Sequence, residues 1–219
     1  MSNLKIFCLT LDPNHLEFIK NLGYIPVGLG EKNFSKEWMS DKTGNSISAK
    51  NKNYGEYTFH YWIWKNYINK LDDKWIGFGQ YRKFWTTGDF ENHELSMNKI
   101  KSIALKEIPS NFQDCEVILG KPFYVNQRRI SKFLKKGFKM VIKNPAILFN
   151  ENSRNLKFHF DLMHGQNNLN KAIDLLDNEN KKDFQDYMNN NYYFHPHNMF
   201  ICKSKSILVK YYETIFPWL

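Results

Sequence analysis

The sequence predicts an α/β domain, a mainly parallel sheet covered by helices on both faces. Three observations predict it. Short apolar runs such as LKIFCLT, IPVGLG, WIGF and MFIC alternate with longer segments of helical period. The chain shows no internal repeat and no linker. Its 219 residues suffice for one large domain with a substantial core and are too few for two comfortable ones.

Taken in order, residues 4–10 read as a buried strand. Residues 13–23 (PNHLEFIKNLG) read as a helix with Pro at its start and Gly after its end. YIPVGLG suggests a second short strand closed by glycines. Residues 31–53 are polar and turn-rich, a loop of a length that is usually functional or disordered. They lead into a helix over 54–69, where Tyr57, Tyr61, Trp64 and Ile68 recur at helical spacing as candidate core. The strand 75–78 follows at once. An amphipathic helix over 92–108, a strand over 114–125 running into a Lys-Pro turn, and a basic helical stretch over 128–143 come next. Residues 155–190 read as two helical pieces with a turn at Asp177–Asn180. A strand over 192–202, entered through a Pro kink, and a helix from Ser204 end the chain.

Hydrophobic residues make up 42% and aromatic residues 16%, which argues against disorder. No run approaches the roughly 20 apolar residues of a membrane span, and the N-terminus lacks the features of a signal peptide. Cys8, Cys115 and Cys202 are far apart, which fits reduced thiols in a cytoplasmic protein. The net charge of +9 implies an anionic partner. Between Glu116 and Glu151 there is no acid, and seven Lys or Arg crowd into 127–143. Of 31 basic residues only four are arginine: Arg82, Arg128, Arg129 and Arg154. Arginine offers a planar fork that grips phosphate with two donors at once.

In open α/β sheets ligands bind beyond the carboxyl ends of the strands. That rule assigns Thr10, the Gln80–Tyr81–Arg82–Lys83 tip, Gly120–Lys121 and the surroundings of Asn198 to one rim. The single domain reads in two halves, 1–125 and 126–219.

Three stretches then carry a resemblance. IPVGLG with DKTGNSISAKNKNYGEYTFHYWIWKN, IGFGQYRKFW, and YYFHPHNMFICKS together resemble a glycosyltransferase family of bacterial capsule and exopolysaccharide clusters, formerly a domain of unknown function. The match covers nearly the whole chain, through Asn45 or Ser46, Ile47, Ser48, Lys50, Asn51, Tyr54, Glu56, Thr58, Tyr61, Trp62, Trp64, Lys65, Asn66, Tyr81, Arg82, Asn198, Met199 and Phe200. The resemblance implies a GT-A-like, Rossmann-like nucleotide-sugar fold. It also implies transfer of a sugar, galactofuranose in some members, to a growing polysaccharide or lipid-linked glycan. Gln80 stands where the family has His, Lys83 where it has Arg, and 164-HGQNNL-169 carries asparagines where the family has Glu and Asp.

Such transfer must stabilise a departing diphosphate and take a proton from an acceptor hydroxyl. Many GT-A enzymes meet the first need with Asp-x-Asp and a divalent cation. Here Arg82 and Lys83 stand in its place, so metal-independent transfer is expected, with Mn or Mg as the alternative. Thr10, Lys50, Asn51, Tyr54, Gln80 and Tyr81 are further donor-binding candidates, and Arg128 and Arg129 further diphosphate candidates. For Lys50 and Asn51 the bland alternative is simple capping of the helix. Asp161 and His164, one helical turn apart, are the candidate base pair. Glu56 reads only as a complement to the helix dipole. His197 and Asn198 are candidates for sugar hydroxyls. A metal site built from His195, His197, His159, Asp161 and His164 is a weaker alternative. The 128–143 stretch, with Ile130, Phe133, Leu134 and Phe138 among its lysines, suits an anionic inner-membrane surface. A nucleic-acid-binding module, a metal-dependent hydrolase and a degenerate relative are the rival readings; the donor reading expects no nucleic acid.

Overall fold

The computed structural model of the chain describes residues 4–71, 75–88, 96–127, 135 and 138–219. Among these, the strands are β1 (Leu4–Thr10), β2 (Ile25–Gly28), β3 (Met39–Ser40), β4 (Trp75–Gln80), β5 (Val117–Leu119), β6 (Phe123–Tyr124), β7 (Tyr193–Phe194) and β8 (Phe200–Cys202). The helices are α1 (Leu16–Leu22), α2 (Asn51–Tyr54), α3 (Tyr57–Trp62), α4 (Met97–Ile103), α5 (Phe138–Lys143), α6 (Leu156–His164), α7 (Asn168–Ile173), α8 (Asn178–Asn190) and α9 (Lys205–Ile215). The chain divides into two compact units. One comprises Met1–Gly120, His197–Pro217 and Leu219, the other Lys121–Pro196 and Trp218. The last strand and helix return to the first unit.

The first unit is built on a sheet in the order β3-β2-β1-β4-β8-β5. β1 pairs parallel with β2 on one side and β4 on the other, while β8 enters antiparallel between β4 and β5. Alternation along β1 feeds two cores. Leu4, Ile6 and Cys8 pack with Ile19 and Leu22 of α1 and with Trp85. Phe7 and Leu9 pack with Phe59, Ile63, Leu208 and Tyr212. The sheet is therefore the mainly parallel one, covered on both faces, that the sequence predicts. α1 ends where Gly23 turns left-handed and its N–H closes on the carbonyls of Ile19 and Lys20.

Several elements differ from expectation for local reasons. The helix expected over 54–69 is two helices, interrupted at Gly55, whose φ of +54° and ψ of −130° end α2. A π-helical turn (Ile63–Tyr67) then continues α3. Its buried face is Phe59, His60 and Ile63, whereas Tyr57, Tyr61 and Trp64 are half-buried. The last two rings pack on Phe216, Trp64 at 5.5 Å and nearly parallel to it. The strand expected over 114–125 breaks before Lys121-Pro122, and its second part pairs with β7 in the other unit. The helix expected over 92–108 is described as α4, and Leu105 has already turned to hydrogen-bond the carbonyl of Trp85. The 155–190 segment is three helices, because Gly165 and Asn167 turn to positive φ. All three cysteines are unpaired, Cys8 and Cys202 buried and Cys115 less so. No helix among the described residues is long and apolar enough to cross a membrane.

In the second unit Arg154 is 2% exposed and acts as a cross-link. Its Nε donates to the Asn126 carbonyl and its Nη1 to the Ile147 carbonyl, at 2.5 and 2.8 Å.

His60 on α3 is wholly enclosed, its Nδ1 2.9 Å from the Tyr212 hydroxyl. Burial pushes its imidazole down to about 3 from an ordinary 6.5. Below pH 6.5 the unfolded chain takes up a proton that native His60 refuses, so this residue makes stability fall as pH drops toward 3. By pH 5 that is about 2 kcal/mol relative to pH 7. In urea unfolding, the loss of stability between pH 7 and pH 5 should be smaller by about that amount in His60→Phe than in the native chain.

Candidate active site

β1 and β4 run parallel with Leu9 opposite Gln80, so both strands release their chains at one rim. Beyond β1 the backbone turns through Leu11 and Asp12. Thr10 Oγ1 holds that turn, accepting the Asp12 N–H at 3.1 Å and meeting His15 Nδ1 at 2.8 Å. Beyond β4 the chain doubles back tightly, Gln80 and Lys83 exchanging two backbone hydrogen bonds of 2.9 and 3.0 Å. The two turns touch: the His15 ring stacks on Tyr81 with centroids 3.7 Å apart. The exposed Arg82 guanidinium lies 5.3 Å from the centre of the Tyr81 ring.

These turns and the α2–Gly55 segment enclose a cleft of about 480 Å³. Lys32, Lys52 and Arg82 line it, against two carboxylates, Asp12 and Glu56. Asp12 accepts the Asn14 N–H, which holds its carboxyl below the usual range, and lies 3.4 Å from Lys32 Nζ. Glu56 Oε1 accepts from Gln80 Nε2 at 2.6 Å. Asn51 donates to the Gly55 carbonyl and to the Thr58 hydroxyl, fixing the start of α3.

Of the donor candidates read from the sequence, Thr10, Asn51, Gln80, Tyr81 and Arg82 line this cleft. Lys83, Lys50 and Tyr54 are not among its walls. Lys83 is held outward by the turn it closes, and the Lys50 ammonium lies 5.6 Å from the centre of the Tyr54 ring. Arg128 and Arg129 lie outside the described residues. Asp161 and His164 lie on α6 in the second unit. Asp161 does not orient His164: its Oδ2 is taken by Lys157 at 2.8 Å, one turn earlier, while the His164 ring packs on Phe160. His195 and His197 fall in different units. Among the described residues no three His, Cys, Asp or Glu side chains converge as metal ligands. Of the two cleft carboxylates, Asp12 has one oxygen facing Lys32 and Glu56 has one accepting from Gln80.

His197 and Asn198 both adopt positive φ, 76° and 50°, a strained pair for residues with side chains. The bend presents the His197 carbonyl to Gln80 Nε2 at 3.3 Å and the Asn198 amide oxygen to the Tyr57 hydroxyl at 3.4 Å. Asp12, His15, Lys32 and Glu56 were missed in the sequence as cleft residues. The rim rule that selected Thr10 would have reached Asp12 and His15 had the turn after the strand been included.

A family model described as "Domain of unknown function (DUF4422)" matches residues 6–219. Among solved structures, the apo form of the bifunctional glycosyltransferase WbbM is similar, with 21% identity and a TM-score of 0.55. The likeness covers all of this chain and 36% of that one, and at this identity it shows the fold. No curated protein matches.

Near Thr58 sits Asp41, 0% exposed, with neither carboxylate oxygen hydrogen-bonded. Burial raises its pKa; the Thr58 hydroxyl offsets this only in part, since its one proton goes to the Gly55 carbonyl. A raised carboxyl favours folding below its unfolded value of 3.8 and loses that contribution as pH climbs through the native value. Asp41→Asn should therefore melt higher than the native chain at pH 7, with the gap narrowing toward pH 4 in the same thermal scan.

Proposed function

The chain belongs to the DUF4422 family, whose model spans residues 6–219, and from that premise we propose that it is a glycosyltransferase. It moves a hexosyl or galactofuranosyl group from a nucleotide diphosphate donor, UDP by preference, to a surface polysaccharide or lipid-linked glycan. One observation carries the reading: a cleft at the carboxyl ends of adjacent parallel strands, with an exposed arginine seated on an aromatic ring at its mouth. Nucleotide ligands bind at such rims, and a guanidinium is suited to a diphosphate.

In this reading Arg82, with Lys32 across the cleft, offsets the charge that builds on the departing diphosphate, without a metal. Tyr81 and His15, stacked on each other, form a rigid wall beside it. Gln80 stays clamped between Glu56 and the His197 carbonyl. The rival nucleic-acid reading needs exposed rings for base stacking. In the first unit Phe59 and Tyr212 are buried, and Trp62 and Trp64 are in ring contact with Phe59 and Phe216. Tyr124, Phe149 and Tyr192, which are exposed, belong to the second unit and are not among the residues lining the cleft.

The same reading puts the enzyme at the cytoplasmic face of the inner membrane, near lipid-linked acceptors. Support comes from α5, where Phe138 and Ile142 are 57% and 62% exposed beside Lys139 and Lys143.

A thermal-shift panel of nucleotides and nucleotide sugars, run in EDTA and again with manganese, tests this. UDP or a UDP-sugar should raise the melting temperature in EDTA, and Arg82→Ala should weaken the measured Kd about ten-fold or more. A shift absent for every nucleotide, or present only with manganese, would overturn the proposal.

A further inference from the structure

Glu56 borders more than the donor cleft. A second open cleft of about 590 Å³ is lined by Tyr54, Tyr57 and Asn198, and shares with the first only Lys52, Gly55 and Glu56. A narrow recess between Gln80 and Asn198 also opens on Glu56, the one residue common to all three. The divide between the clefts is thus one lysine, one glycine and one carboxylate, and the carboxylate alone among them also reaches the recess. Nothing lies within 4 Å of where a Gly55 Cβ would stand, so the ridge is low there. The carboxylate is also aimed. Oε1 is fixed by Gln80 at 2.6 Å, and Gln80 is itself held by the strained His197 carbonyl. Oε2 has no protein partner among the described residues. A residue serving only the dipole of α3 would need no anchor from a strand 24 positions away.

Resting on the glycosyltransferase reading, we infer that the second cleft takes the acceptor, a sugar presenting a free hydroxyl, and that Glu56 is the base that deprotonates it. Tyr54 and Tyr57 offer ring surface for the apolar side of a sugar, and Asn198 is exposed for its hydroxyls. In the step, the acceptor oxygen bonds to the anomeric carbon of a donor in the first cleft. The bond from that carbon to the diphosphate oxygen breaks, its electron pair leaves with the diphosphate, and the hydroxyl proton passes to Glu56 Oε2. One base and one displacement give inversion at the anomeric carbon. Other groups fit this role less well. Asp12 borders the donor cleft alone and is engaged by Asn14 and Lys32. His60 is enclosed and committed to Tyr212.

The test uses the full chain, the UDP-sugar that gives the largest thermal shift, and a mixture of octyl glycosides as acceptors, with UDP release as the readout. Glu56→Gln should keep the Kd for UDP within about three-fold and lose at least about 100-fold in acceptor-dependent kcat. Glu56→Ala should behave alike and regain activity with added formate, a small carboxylate for the vacated space. Transfer by Glu56→Gln within about five-fold of the native rate, or no formate rescue of Glu56→Ala, would overturn the assignment. A native chain that binds no nucleotide would instead sink the glycosyltransferase reading beneath it, so the two failures are told apart by the binding measurement. Glu56→Asp, which keeps the carboxylate, should retain more activity than Glu56→Gln and serves if either truncation melts early.

Discussion

The pairing of β1 with β4 governs the rest of the first unit. Two parallel neighbours must be left at the same edge, so whatever follows each is delivered to one rim. With Leu9 opposite Gln80, that rim is level, and the turns after the strands meet as two walls. Both strands are buried on both faces, which forbids unpaired polar side chains until the strands end. The sequence accordingly switches from FCL to TLD and from GFG to QYRK within a residue or two. Polar chemistry is concentrated at the rim because the interior cannot hold it.

A second constraint follows from the first. The segment facing the rim must bring a side chain to the cleft and also send a helix onto the sheet. A continuous helix over 51–67 would do only the second. Gly55 resolves this by turning left-handed, so that α2 stops and α3 starts afresh with Glu56 at its head. The new start has its own fixings. Asn51 reaches across the break to Thr58, and Gln80 crosses from the sheet to Glu56. On the far side, His197 and Asn198 accept strained backbone to complete the same network. Three segments distant in sequence thereby fix one carboxylate.

Much of this was legible, and what was not has definite causes. The strands at 4–10 and 75–78 and the helix after Ser204 could be read because apolar continuity and capping are local signals; the second strand runs on to Gln80. The break at Gly55 was not read, since a lone glycine beside the first residue of an apolar period is no sure sign of a stop. That period also misled about burial: the rings of Tyr61 and Trp64 point to Phe216, a contact between residues more than 150 positions apart. Part of what makes the WIWKN motif recognisable is scaffold. Asn66 clamps the long loop by exchanging two 2.8 Å hydrogen bonds with the Asn45 backbone. Asp161 and His164 on α6 do not pair, because spacing on a helix says which groups are neighbours, not which of several neighbours will bond. Lys157 had the prior claim on Asp161.

The arginines show why the kind of charge says more here than its amount. A net charge of +9 suggests an anionic partner but does not name it, because most of the cations are lysines, five of the seven in 127–143 among them. Two of the four arginines are described, and both use the planar fork, in opposite ways. Arg154 is buried and spends its donors on backbone carbonyls, a cross-link that a lysine ammonium would fit poorly. Arg82 is exposed, lies within cation–π distance of the Tyr81 ring, and lines the cleft. A guanidinium kept near a ring that is itself stacked on His15 has a preferred place at the cleft before any ligand arrives. The same reasoning separates Arg82 from Lys83 beside it. One side chain is pre-organised on a ring at the cleft, and the other is free in solvent beyond the turn.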